Sequence, residues 1–358
     1  MLELANQSNW VAGLYPGWDH AQQYQLTTVF KAGFAFDEHG QLTPLPPDYA
    51  IIEADAHHAD PLATGLMQAC EIAPFKQGGE IYLYGTAIPE RDNLIAMEVG
   101  MSLLLGDGRE WKKILRVFGR RKWQKTKVNY ILAEPGYVAS IPLQYEHAFG
   151  GANPDNEDDV YAANPIGMGY NSDSRKLLSD ELPRIEVGPS FMTSPMQKPV
   201  PAGFGPLPVF WEPRRSEIGE PVADPFSQGG CPYDRDAQKS MHNVAPRDQR
   251  FTKPFNGGEV LHLRALVPGV SHQSSVEITL PNLQPQLYTI INNKAELLTP
   301  LCDTVVVNTD EKTLFMIYRA GIPWRMTDRR KGWVVLKDLE LVELPYVKEG
   351  RDAPRMAS

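Results

Sequence analysis

Cysteine is scarce: the 358 residues hold three, Cys70, Cys231 and Cys302, far apart and without a CxxC pair. An odd number at such spacing excludes a disulfide scaffold and points to a reducing compartment. Long apolar runs are missing as well. The longest apolar-leaning stretch, residues 94–105, is interrupted by Glu98 and too short to span a bilayer as a helix. The opening residues MLELANQSNW lack the basic and apolar regions of a signal peptide. Nothing repeats at a period of about 20–50 residues, so solenoids and propellers are not supported. These absences lead us to expect a cytoplasmic chain without membrane insertion.

Catalytic signatures are absent too. There is no nucleophile elbow, no phosphate-cradling P-loop and no HExxH zinc motif. The pair His57 and His58 in HHAD (57–60) offers two imidazoles, but adjacent residues in extended chain face opposite sides and no third His is near. The acidic run 155–159 (DNEDD) lacks the glycine of a calcium loop, with Val160 in its place. Cys231 has no Lys or Arg within three residues. Glu146 and His147 stand together after an apolar strand, yet neighbours in extended chain do not share a site. No metal site and no cofactor are expected.

Glycine and proline are plentiful: 29 and 31 residues, where an average chain of this length carries roughly 43 of the two together. An interior proline costs a helix about 3 kcal/mol, so this composition suits short strands and many turns. Strand patterns run through 24–36 (YQLTTVFKAGFAF), 79–88 (GEIYLYGTAI) and two apolar runs joined by the hairpin signal GDG at 106–108. They continue to Tyr145. In SVEITL, Val276, Ile278 and Leu280 alternate with polar residues. Residues 303–319 read as two strands around a polar loop, and 332–344 as a last strand or strand pair. The fold class expected is mainly β, with packed antiparallel sheets forming a sandwich or distorted barrel and few short helices.

Between these runs, residues 151–258 hold 15 Pro and 11 Gly but also ten aromatics. Disordered segments are poor in aromatics, so the stretch reads as ordered loops pinned to a sheet by aromatic anchors, with 152–164 its more flexible piece. The expected division is an N-terminal β domain (1–150), this irregular insert (151–258), a C-terminal β segment (259–345) and a flexible tail (346–358). The net charge of −9 argues against an overall nucleic-acid binder. Stretch 109–127 opposes the trend with nine Lys or Arg and one Glu, leaving the rest at about −17. Its basic patch is Lys112, Lys113, Arg116, Arg120, Arg121 and Lys122. It suits a solvated sheet edge, a strip for phosphates and bases, or a docking patch for an acidic protein surface. In APRDQR (245–250), Pro246 presets a turn, Asp248 can cap a backbone N–H and two Arg flank Asp248 and Gln249. Such a cluster locks a loop onto a sheet or presents Arg to a partner.

Taken in order, EIAPFKQGGEIYLYGTA (71–87), LRVFGRRKW (115–123), YEHAFGG (145–151), NPIGMGY (164–170), LPRIE (182–186), PAGFGPLPVFW (201–211) with Arg214, APRDQR, GGEVLHL (257–263) and DTVVV (303–307) resemble one bacterial domain-of-unknown-function family. That family is encoded beside type VI secretion spike and PAAR-tip genes. The resemblance spans residues 20–325. His147 and Met168 stand where the family pattern has Arg. What the resemblance implies is a non-enzymatic adaptor that binds a PAAR-type effector and loads it, with the spike protein as a second candidate partner. A mainly β protein can hold a guest segment at a sheet edge or in an aromatic-lined groove. The expected partner-binding residues are Tyr145, Glu146, Phe149, Tyr170, Phe204, Phe210, Trp211, Arg214, Asp248, Gln249 and Arg250. The alternatives are a hydrolase-like enzyme using a carboxylate or His147, and a secreted structural part of the spike.

Overall fold

The computed structural model describes residues 2–337 apart from 189–190, 221, 226–229, 235 and 326. The second half of the 332–344 run and the tail therefore lie outside the described residues. The principal strands, in chain order, begin with β1 (Leu2–Gln7), β2 (Val11–Trp18), β3 (Tyr24–Phe36), β4 (Gly79–Tyr84), β5 (Ala96–Leu104) and β6 (Glu110–Phe118). A small hairpin of β7 (Trp123–Lys125) and β8 (Tyr130–Leu132) follows, then β9 (Ile185–Val187) and β10 (Arg250–Phe251). The chain closes with β11 (Val260–Arg264), β12 (Ser275–Thr279), β13 (Gln286–Ile291), β14 (Lys294–Leu298), β15 (Leu301–Asn308), β16 (Thr313–Pro323) and β17 (Gly332–Lys337). The only α-helix among the described residues is five residues long, Arg214–Ile218.

Three sheets share one core. The largest runs β10-β4-β15-β16-β3-β2, with Leu42–Pro44 added beside β3; β4 and β15 are parallel and the other pairs antiparallel. The second, β9-β6-β5-β11-β12, is antiparallel throughout. In the third, β1-β17-β13-β14, β1 lies parallel to β17. Phe30, Ile81 and Met316 from the first sheet meet Val99, Leu115 and Ile278 from the second and Leu287 and Val334 from the third. The fold is mainly β, as its turn-rich composition requires. Its sheets are open and partly parallel rather than closed into a barrel or purely antiparallel.

Exposure explains which strands alternate. β12 keeps one wet face, and its residues alternate strictly between exposed and buried. β3 is nearly continuously buried, because its sheet is covered on both faces. The outer face carries Val29, Tyr82, Val306 and Ile317 under Ile51, Leu66, Val244 and Ala245. This buries Lys31, whose ammonium donates to Glu71 Oε1 at 2.7 Å and to the Ala50 carbonyl at 3.2 Å. The GDG turn joins β5 to β6, with Gly108 at φ +83°. Segment 152–164 has regular structure of its own. It contains the paired strands Ala152–Asn153 and Asn156–Val160, and Asp159 accepts hydrogen bonds from Asn153, Tyr170 and Ser172. Those bonds, Ser172 first, hold the Asp159 carboxyl below its ordinary range.

His242 packs edge-on against Phe75 at 4.8 Å and Tyr233 at 5.3 Å. Burial first, and then the cations Lys76, Arg319 and Arg214, pull its pKa from 6.5 down to about 3. The unfolded chain accepts this proton near pH 6.5 and the folded chain refuses it until about pH 3. Stability contributed by neutral His242 is therefore complete above pH 6.5 and declines as pH falls through this window. Urea denaturation at pH 6.5 and pH 5 should cost the wild type about 2 kcal/mol more than His242→Phe. Equal losses would show that His242 does not titrate on unfolding.

Candidate functional site

The loop between Pro206 and Arg250 is fastened to the large sheet by a buried carboxylate. Glu80, at the start of β4, has no solvent exposure. Its Oε2 accepts the N–H groups of Val244 (2.9 Å) and Ala245 (3.1 Å), and its Oε1 pairs with the Lys76 ammonium. Burial alone would raise the Glu80 carboxyl; Lys76 and these donors outweigh it and hold the group below its ordinary range. The chain then enters APRDQR, whose Arg247–Gln249 form one 3-10 turn. Gln249 donates to the carbonyls of Ile81 and Phe204, both at 2.8 Å, and accepts from Lys113 at 2.8 Å. Arg250 Nη1 lies 2.8 Å from Glu217 Oε2, and Arg247 Nε 2.9 Å from Glu217 Oε1. This motif is the lock of the fold's irregular half.

The aromatic motifs close onto the same framework. Tyr145 is buried, donates its hydroxyl to the Gly205 carbonyl at 3.1 Å and meets Trp211 edge-on at 5.7 Å. Trp211 and Phe204 are fully buried. Phe149 sits edge-on to Tyr161 at 4.9 Å, and Tyr170 donates to Asp159 at 2.6 Å, which pushes its phenol up to about 12. Arg214 is buried and donates to the Leu207 carbonyl. The turn at YEHAFGG is tied by Asn164, which donates to the carbonyls of Tyr145 (2.8 Å) and Phe149 (3.0 Å). Gly150, at φ +156°, is required there: a Cβ would stand 2.1 Å from the Asn164 carbonyl oxygen.

These placements put most of the expected partner-binding residues in the interior. Tyr145, Phe149, Tyr170, Phe204, Trp211, Arg214, Gln249 and Arg250 act inside the protein, as anchors and locks. Only Phe210 and Asp248 stay substantially exposed, and Glu146 is half-buried with Oε1 accepting the Gly65 N–H at 2.9 Å. The residues of the expected basic patch divide between interior and surface. β6 is flanked by β9 only at Leu115–Val117, so Glu110–Ile114 have a strand partner on one side alone among the described residues. Lys113 points inward onto Asp248 and Gln249, and burial pulls its ammonium pKa down against the pull of Asp248. Arg121 is buried on Glu186 at 2.6 Å. Arg116 pairs with Glu98 and lies over Phe191. Lys112, Arg120 and Lys122 remain exposed. His57 and His58 diverge, the first to the Thr64 carbonyl and the second to Gln144.

What the lock leaves open is a groove of about 900 Å³. Its lining includes Ile185, Val187 and Gly188 of β9 and the residue after it, Pro199, Val200 and Pro201, and Leu207, Pro213 and Pro246, with the buried Tyr145 and Phe149 as its floor. Six charged residues border it, three of each sign: Lys113, Lys198 and Arg247 against Glu186, Glu212 and Asp248. The volume is in the range of binding pockets, and the lining suits a neutral apolar guest. A second cavity, about 390 Å³, also borders Tyr145 and is lined by Lys31, Glu71, Tyr82 and Glu146. Residues that sequence reasoning passed over include Glu80, Asn164 and Glu217. A lone carboxylate opening the apolar run EIYLY was the one available signal.

A mainly β scaffold with a groove held open by buried ion pairs defines a class of structure and not yet an activity. The chain belongs to the bacterial family described as uncharacterized protein conserved in bacteria (DUF2169), whose model matches residues 21–319. No curated protein and no solved structure matches it.

Burial separates two adjacent aromatics. Trp211→Ala should lower unfolding free energy by about 3–5 kcal/mol, the usual cost of emptying a large core site. Phe210→Ala should stay within about 1 kcal/mol, as exposed positions do. Chemical denaturation measures both, and equal losses would contradict this assignment.

Proposed function

We propose that the protein is a type VI secretion adaptor that binds a PAAR-type effector in the cytoplasm and helps load it onto the spike, leaving covalent bonds unchanged. The observation that carries this reading is the apolar groove with balanced rim charges, bordered by the edge strand β9. The order of motifs shared with the adaptor family supports it from the sequence side. An adaptor must shield an aggregation-prone segment and release it intact. A preformed neutral groove does this with little reorganisation, so affinity is not lost to ordering the receptor. Edge main-chain groups beside apolar pockets suit an extended guest.

Val200 is the position to test, because it lines the groove yet is 76 % exposed, so a change there spares the core. Val200→Asp should keep the native melting temperature and reduce co-purification of a co-expressed PAAR effector at least about tenfold, as a charge in an apolar contact requires. A variant that folds and retains the effector like wild type would remove the groove from the mechanism.

A further inference from the structure

The β7–β8 hairpin carries a surface that neither the lock nor the groove uses. Its root is rigid. Trp123 is buried with Phe149, Tyr170 and Leu182. The Ala133 N–H donates to the Lys122 carbonyl at 2.9 Å, Gly136 to Arg120 at 2.8 Å and Gly119 to Ile95 at 3.2 Å. Gly119 makes this approach possible, since a Cβ there would lie 1.9 Å from the Gly136 carbonyl oxygen. Three runs of chain, around 95, 119–125 and 130–137, are thus held side by side.

What they leave exposed is apolar. Val128 at the tip is 93 % exposed, Tyr137 65 %, Ile95 51 %, and Ile131 and Leu132 46 % each. A cluster of large exposed apolar side chains on a water-facing hairpin marks an interaction surface. Arg120, Lys122, Lys125 and Lys127 stand exposed around it with Glu134 among them, and the carboxylates of Asp180 and Glu181 both serve Lys122, so the surface keeps a net positive charge. Exposure here is independent of the inward cations of the strip, Lys113 and Arg121, which are already paired.

We propose that this hairpin docks an acidic protein surface, with Val128 at its tip and Ile131 on its face as the apolar centre and Arg120, Lys125 and Lys127 as the charged rim. Apolar centre and charged rim are the usual anatomy of a protein interface. The rest of the chain is strongly acidic, so a negatively charged partner is steered away from other faces and toward this one. Nucleic acid is the poorer fit. Four of the five exposed apolar groups are aliphatic and offer no face for base stacking, which single-strand binders rely on.

The test uses the full chain and a fluorescein-labelled peptide of Asp and Glu interspersed with Leu and Phe, read by anisotropy. Binding should weaken about tenfold between about 50 and about 300 mM salt. It should fall at least about tenfold in the double variant Lys125→Glu, Lys127→Glu, and about fivefold in Ile131→Ser, with melting temperatures unchanged. Val200→Asp should bind the peptide like wild type, which separates this surface from the groove. No binding by wild type, or equal binding by the hairpin variants, overturns the proposal. So does a result in which the variants lose affinity only for oligo-dT or for phosphatidylserine vesicles, which would make the hairpin a polyanion or lipid contact.

Discussion

Glu80 is the interaction on which the irregular half of this protein depends. A carboxylate shut away from water costs several kcal/mol unless its charge is met. Here Lys76 meets it at one oxygen and two successive backbone N–H groups at the other. Those amides belong to Val244 and Ala245, which thereby become part of the apolar layer over Tyr82 and Val306. The next residues have little freedom left. Gln249 is delivered beneath the sheet to two carbonyls, and Arg250 to Glu217. A neutral hydrogen bond contributes about 0.5–1.5 kcal/mol, whereas removing one partner of a buried pair costs about 3–5. The charges at Glu80 and Glu217, more than the turn chemistry of Pro246, decide where this loop sits.

The strands are legible in the sequence and the burial of the anchoring side chains is not, for identifiable reasons. Alternation in SVEITL is local information, because each residue's face follows from the pleat alone. The same parity applied to β6 would have turned Lys113 inward with Leu115 and Val117, on the buried side. The density of basic residues masked that signal. The lock motif was read correctly as loop chemistry, but its partners could not be. Glu217 lies 33 residues from Arg250, and Glu80 lies 164 from Val244. The aromatics posed a deeper ambiguity. An indole that anchors a loop and one that grips a guest have the same composition around them, and only the fold distinguishes buried Trp211 from exposed Phe210.

Burial of these aromatics changes what they do without making them irrelevant to the groove. Tyr145 and Phe149 form its floor, and Trp211 packs behind Tyr145. Their role is to set shape. Asn164 holds the backbone of both floor residues, and Gly150 lets that backbone come close enough to be held. These contacts make the groove's floor part of the rigid framework. On the proposed adaptor reading, that rigidity is useful: an apolar guest segment meets a surface already shaped for it, and the entropy lost on binding is mostly the guest's.

The neutral groove and the basic hairpin differ in the kind of selectivity each can supply. An apolar groove with balanced rim charges accepts many sequences of similar shape, so by itself it discriminates weakly. A charged hairpin with an apolar centre does the reverse. It adds long-range attraction for one sign of partner and contributes to association rate more than to residence. Both surfaces are rooted in one cluster, since Trp123 beneath the hairpin packs with Phe149 beneath the groove. If a single partner spans them, the second contact forms at a fixed distance from the first, and the rigid root raises its effective concentration without any new interaction energy. Specificity would then reside in the spacing of the two surfaces, which a buried aromatic cluster sets and no exposed residue can alter alone.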